Sequence, residues 1–152
     1  MKTCSIAQYL NEDLISFLSV QTREQAIYQL VEILYHNKKI NDKDEFLNAV
    51  LEREKIVSTG IGMGVAIPHA KLTSICDFFI IIGIQKKQPL YWDSIDNSFV
   101  NLIFMIGGPE NRQNEYLQIL SLITMAIKNE SLRKNIIGAK WPQKVFSDLV
   151  CY

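Results

Sequence analysis

Apolar residues recur at helical spacing early in the chain: Ile27, Leu30, Val31 and Leu34 fall at i, i+3, i+4 and i+7, on one face of a helix. Thr22 and Gln25 form the capping box that would start it, and its end is expected between His36 and Lys39. A second helix is expected from Asn41 or Asp42, with Glu45 three residues past Asp42, a buried face of Phe46, Leu47, Val50 and Leu51, and Arg53 at its end. The period then changes. Across residues 58–69 glycine alternates with other residues at Gly60, Gly62 and Gly64, which disfavours helix and predicts a tight hairpin. Residues 78–84 and 100–106 are apolar runs of strand length, rich in β-branched and aromatic side chains, as in central strands covered on both faces.

Helical spacing returns after Pro109 with Leu117, Leu120, Ile123 and Ile127. A short helix is expected to follow, with Ser131 as N-cap and Gly138 as its stop. A last one should start at Pro142 and turn Val145, Phe146, Leu149 and Val150 inward. The order of helices, then strands, then helices predicts an α/β fold, a single-domain sandwich in which a mixed β-sheet is flanked by helices. Residues 1–152 are read as one domain, because that length suits a single core and no linker or repeat interrupts it.

Charge narrows the function. Sixteen basic and sixteen acidic residues cancel, so the excess positive charge that drives nucleic-acid binding is absent. The longest apolar runs are too short to span a bilayer and residues 1–4 begin no signal peptide, so the protein is expected in the cytoplasm without direct membrane insertion. Cys4, Cys76 and Cys151 are widely separated and form no Cys-x-x-Cys pair; they read as reduced thiols.

The glycine stretch invites a nucleotide reading, but Gly60, Gly62 and Gly64 lack the third small residue of the dinucleotide fingerprint and no P-loop pattern occurs. What such glycines offer is close backbone approach and free N–H groups beside a reactive side chain, the geometry that holds a phosphate or oxyanion. The side chain they precede is His69, fixed on one side by Pro68. His36, beside Lys38 and Lys39 at a helix end, reads as a solvated cap. Neither histidine has metal-ligand spacing, so no metal and no cofactor is expected. No G-x-S-x-G elbow is present, and no cysteine sits in a nucleophile context. Glu54, Asp93, Asp96, Glu110 and Glu115 read as ordinary surface carboxylates.

Arg53-Glu54 followed by Ser58-Thr59-Gly60-Ile61-Gly62-Met63-Gly64-Val65-Ala66-Ile67-Pro68-His69 resembles the signature of the fructose/mannitol-type enzyme IIA domains of the bacterial phosphotransferase system, a family that includes nitrogen-regulatory IIA proteins. Downstream, Pro89-Leu90-Tyr91-Trp92-Asp93, then residues 100–106, then Pro109 look like the family's strand, strand and loop. The resemblance covers nearly the whole chain and implies an α/β sandwich. It also implies a phosphotransferase: the histidine-containing phosphocarrier protein phosphorylates His69, and His69 passes the group to a cysteine of a IIB domain or permease for sugar uptake. Arg53 is the implied donor to the phosphoryl oxygens. One position departs from the family, since its second histidine is matched here by Tyr116. A phenol can donate a hydrogen bond to phosphate but is uncharged at neutral pH. The alternative function is a regulatory IIA-like module whose binding to other proteins is switched by phosphorylation of His69, without sugar transport. Under either reading Ile61, Met63 and Val65 are expected to form an apolar docking rim around His69.

Overall fold

In a computed structural model, which describes residues 5–152, the two long apolar runs form the centre of a mixed sheet. Strands β5 (Phe79–Gln85) and β6 (Leu102–Gly108) pair antiparallel from Phe79↔Gly107 to Ile84↔Leu102. Every residue of both is buried, and because successive side chains leave a strand on opposite faces, both faces of the sheet must be covered. The helices cover it in two groups. Helices α1 (Arg23–His36) and α2 (Lys43–Ile56) pack on each other, while α3 (Gln113–Ile127), α4 (Glu130–Gly138) and α5 (Pro142–Leu149) form the second group. This is the expected α/β architecture of a mixed sheet flanked by helices.

Two strands were not expected. β1 (Ile15–Leu18) precedes the first helix and runs parallel to β5, so the order is not simply helices, strands, helices. Four residues give no readable alternation, and β1 is defined by its partner more than by its own pattern. After the hairpin of β2 (Gly60–Gly62) and β3 (Val65–Ala66), the chain passes Ile67 and Pro68 and forms β4 (His69–Lys71). β3 and β4 run in succession along β6, with Val65 and Ala66 beside Leu102 and Ile103, then His69, Ala70 and Lys71 beside Ile106, Gly107 and Gly108. β2 covers the outer edge of β3, whereas β4 pairs only with β6 among the described residues. The sheet therefore has an open edge that begins at His69. Residues 89–93 make no strand; only Leu90 pairs, in a bridge to Val100 with both N–H···O distances 2.7 Å.

The helix limits come from their caps. Thr22 accepts from the Gln25 N–H as expected, but Gln25 returns its bond to the Gln21 N–H at 2.8 Å. Asp42 caps α2 by accepting from the Glu45 N–H. Phe46 and Val50 are buried there, Leu47 and Leu51 only partly so, and Glu54 takes a fully inward position. In α3 the inward face is Tyr116, Ile119, Ile123, Ala126 and Ile127; Leu117 is exposed, so the leucine stripe is offset from the true core face. α4 is capped by Asn129, which accepts from the Leu132 N–H, and not by Ser131. Pro142 opens α5, with Val145 and Leu149 buried and Val150 exposed. Cys76 and Cys151 are free and exposed, and Cys4 lies outside the described residues. No helix among the described residues is long and apolar enough to cross a membrane.

Candidate functional site

The open edge at β4 is bordered by the last turn of α2 and the first turn of α3. Ala49, Arg53, His69, Ala70, Lys71, Glu110 and Tyr116 line one cavity of about 510 Å³ there. Arg53, His69 and Tyr116, which sequence reasoning singled out separately, thus come together. His69 and Lys71 stand two residues apart on β4, so their side chains leave the strand on the same face.

His69 is half-buried, and its Nδ1 lies 3.0 Å from the Ile67 carbonyl oxygen. A carbonyl only accepts, so Nδ1 carries the proton and donates, which leaves the lone pair on Nε2. The ring has a defined tautomer and one nucleophilic nitrogen. Burial pushes its pKa below the ordinary histidine value, the Ile67 contact and the Glu54 charge oppose that, and the positive charges of Arg53 and Lys71 add to the lowering. At neutral pH the ring is accordingly uncharged, as a nucleophile must be.

Tyr116 is buried, with its ring centroid 5.6 Å from that of His69 and 6.3 Å from that of Phe78, onto which it stacks at 22°. Burial raises the pKa of its phenol, so it stays protonated. The Lys71 ammonium sits 4.3 Å from the Tyr116 ring centroid and donates to Gln113 Oε1 at 2.5 Å. Arg53 donates from Nη1 to the Val57 carbonyl at 3.0 Å, which folds its head back over the end of α2.

Glu54 overturns the surface reading. Its carboxylate is buried and accepts three hydrogen bonds: from the Thr59 N–H at 2.9 Å, the Thr59 hydroxyl at 2.6 Å and the Trp92 indole N–H at 2.7 Å. Those bonds tie the last turn of α2 to the start of the hairpin and hold the backbone that carries Arg53. Glu110 is exposed, as expected of a surface carboxylate, and it also lines the cavity. Glu115 accepts from the Tyr9 hydroxyl at 2.9 Å and pairs with Arg112. Lys71 and Glu110 were missed as cavity residues. The available signal was the spacing of His69 and Lys71, readable only once a strand is assigned there.

The hairpin plays a different part from the one expected. Three of its N–H groups are not free for an oxyanion: Met63 donates to Asp96 Oδ2 at 3.0 Å, Gly64 to the Ser98 hydroxyl at 3.3 Å and Gly60 to the Ser58 hydroxyl at 3.1 Å. Glycine is required at Gly62 and Gly64 because φ is +101° and +76° there. For Val65 and Met63 the expected docking rim fails on position too. Val65 is fully buried, and it pairs with Leu102 while His69 pairs with Ile106, four residues or about 13 Å further along β6. Met63, at the far end of the hairpin, lies against Arg133, 3.6 Å from Sδ to Nη1.

The family model described as phosphoenolpyruvate-dependent sugar phosphotransferase system, EIIA 2, matches residues 8–149. The chain belongs to that family. Among curated EIIA relatives, the fructose-specific EIIABC component of Bacillus subtilis is 36% identical over 118 residues, 78% of this chain but only 18% of the relative's length. The fructose-specific EIIA component of Haloferax volcanii is 32% identical over 82% of this chain and 80% of its own. The crystal structure of the nitrogen regulatory protein IIA-Ntr from Neisseria meningitidis superposes with a TM-score of 0.88 at 25% identity, covering 95% of this chain and 98% of that one. Membership of the EIIA 2 family makes this a component of phosphoryl transfer.

Proposed function

We propose that this chain is the phosphocarrier IIA component of a sugar phosphotransferase system and that His69 accepts the phosphoryl group through Nε2. The observation that carries the reading is the Nδ1 contact with the Ile67 carbonyl, which leaves the nucleophilic lone pair on Nε2 of a ring lining the cavity. The donor is the histidine-containing phosphocarrier protein. Its N–P bond breaks as a new N–P bond forms at Nε2, the carrier's imidazole takes the electron pair, and no proton has to leave His69. Positive charge that develops on the ring is met at Nδ1–H by the Ile67 carbonyl. Arg53 supplies positive charge toward the equatorial oxygens of the transferring group. In the return step a cysteine thiolate of a IIB domain attacks phosphorus, the N–P bond of His69 breaks, and the electron pair returns to Nε2. The fructose-specific names of two relatives support service to sugar uptake, and the combined EIIABC name of one supports a IIB domain or permease as the downstream partner.

A second reading is favoured by one observation, the close superposition on a nitrogen regulatory IIA protein. In it the phosphorylation state of His69 switches binding to another protein and no sugar is served. Both readings require the same acceptor. Incubation with phosphoenolpyruvate, enzyme I and the histidine phosphocarrier should add one acid-labile phosphate to the intact mass of the wild type and none to His69→Ala. Subsequent loss of that phosphate to a IIB domain separates transport from regulation. An unmodified wild type beside a fully charged carrier would remove both.

A further inference from the structure

The cavity holds a second fixed cation besides Arg53. Lys71 is usually the most mobile kind of side chain, a four-carbon stem ending in a hydrated point charge. Here its head is held at two points, by Gln113 Oε1 at 2.5 Å and by the ring face of Tyr116 at 4.3 Å. Gln113 and Tyr116 are three residues apart in the first turn of α3, so one helical face supplies both restraints. An ammonium has three donors, and the bond to Gln113 uses one. The remaining charge lies on the strand face it shares with His69, in the same cavity.

Building on the phosphocarrier reading, we propose that Lys71 is a second cationic ligand of the phosphoryl group on His69, and that Tyr116 is a positioning residue that acts by presenting its ring face to Lys71. The group is then gripped from two sides, by Arg53 from α2 and by Lys71 from β4 and α3. Tyr116 contributes no charge of its own; it orients a neighbouring one before the group arrives, which removes the ordering that a free lysine would undergo during transfer. Burial of Tyr116 between His69 and Phe78 keeps that ring face fixed.

The test is the rate of phosphorylation by the charged carrier in Lys71→Met, Lys71→Arg, Tyr116→Leu, Tyr116→Phe and the Lys71→Met/Tyr116→Leu double variant, each checked for a native amide spectrum. Loss of a preorganised donor should slow Lys71→Met by roughly tenfold or more. Lys71→Arg keeps the charge and should recover most of that loss. Tyr116→Leu should be slowed comparably, Tyr116→Phe should be slowed less because it retains the ring face, and the double variant should be no slower than Lys71→Met alone. The His69 pKa, followed by NMR, should rise in Lys71→Met as a nearby positive charge is lost. A Lys71→Met protein phosphorylated at the wild-type rate with an unmoved His69 titration overturns this inference and leaves the phosphocarrier reading standing. Failure of the wild type to accept phosphate overturns both.

Discussion

The carboxylate of Glu54 and the indole of Trp92 are joined by a 2.7 Å hydrogen bond inside the protein, across 38 residues of sequence. The same carboxylate binds Thr59 twice, so its removal strips the Thr59 N–H and hydroxyl of their acceptor and leaves the Trp92 indole only its longer, 3.3 Å bond to the Thr59 hydroxyl. Glu54→Ala should destabilise the fold by about 2–4 kcal/mol, read as a lowered urea midpoint. In a Trp141→Phe background, Trp92 emission should shift to the red in the native state. An unchanged midpoint would mean the carboxylate is not a structural tie.

His69 should titrate below the ordinary value of about 6.5. The folded pKa is lowered, so the unfolded chain takes up the proton first: stability declines as pH falls below about 6.5 and stops declining once the folded ring is protonated. Phosphoryl acceptance should therefore persist at mildly acidic pH, where an unperturbed histidine would be half charged. A pH series of ring-proton NMR shifts decides this, and a midpoint at or above 6.5 would contradict it.

Asp96 clasps the hairpin. Hydrogen bonds from the Ser98 side chain, the Ser98 N–H and the Met63 N–H hold its pKa at about 2, so its contribution is present above the ordinary carboxylate range and is lost as pH falls from about 4 toward 2. Asp96→Ala should accelerate hydrogen exchange at the Met63 and Ser98 amides. Because the hairpin turn lies away from His69, phosphorylation of Asp96→Ala and of Met63→Asp should proceed at the wild-type rate. Slow phosphorylation of Met63→Asp would restore the hairpin as a docking rim.

Gly107 pairs with Ala70 on one side and Phe79 on the other, and a Cβ placed there would lie 2.2 Å from Phe79 Cζ. Gly107→Ala should destabilise the protein by about 1–3 kcal/mol through overpacking. Adding Phe79→Leu, which removes that atom, should recover part of the loss in thermal unfolding. No recovery would mean that the strain lies elsewhere along β6.

Much of this was legible in the chain. The central strands announced themselves as unbroken apolar runs, and the α1 and α2 caps by Thr22 and Asp42, because those signals are local. The motif singled out His69 and Arg53, which the structure brings to one cavity. What stayed hidden depends on pairing across the sheet. β1 and β4 are short and take their structure from β5 and β6, so neither carries its own period. Without β4, Lys71 could not be placed on the face of His69. Glu54 was misread because a carboxylate is normally solvated, and its three donors come from a turn and a distant loop that only the fold brings to it. Tyr116 was visible as a departure from the family pattern; that its ring faces Lys71 was not.

Long-range proton–nitrogen NMR of the nitrogen-15 protein after phosphorylation distinguishes a phosphoryl group on His69 Nε2, with Nδ1 keeping its proton, from one placed elsewhere. A phosphorus coupling at Nε2 with a protonated Nδ1 is the predicted result. Phosphorus on Nδ1, or on any residue other than His69, would rule out Nε2 of His69 as the acceptor.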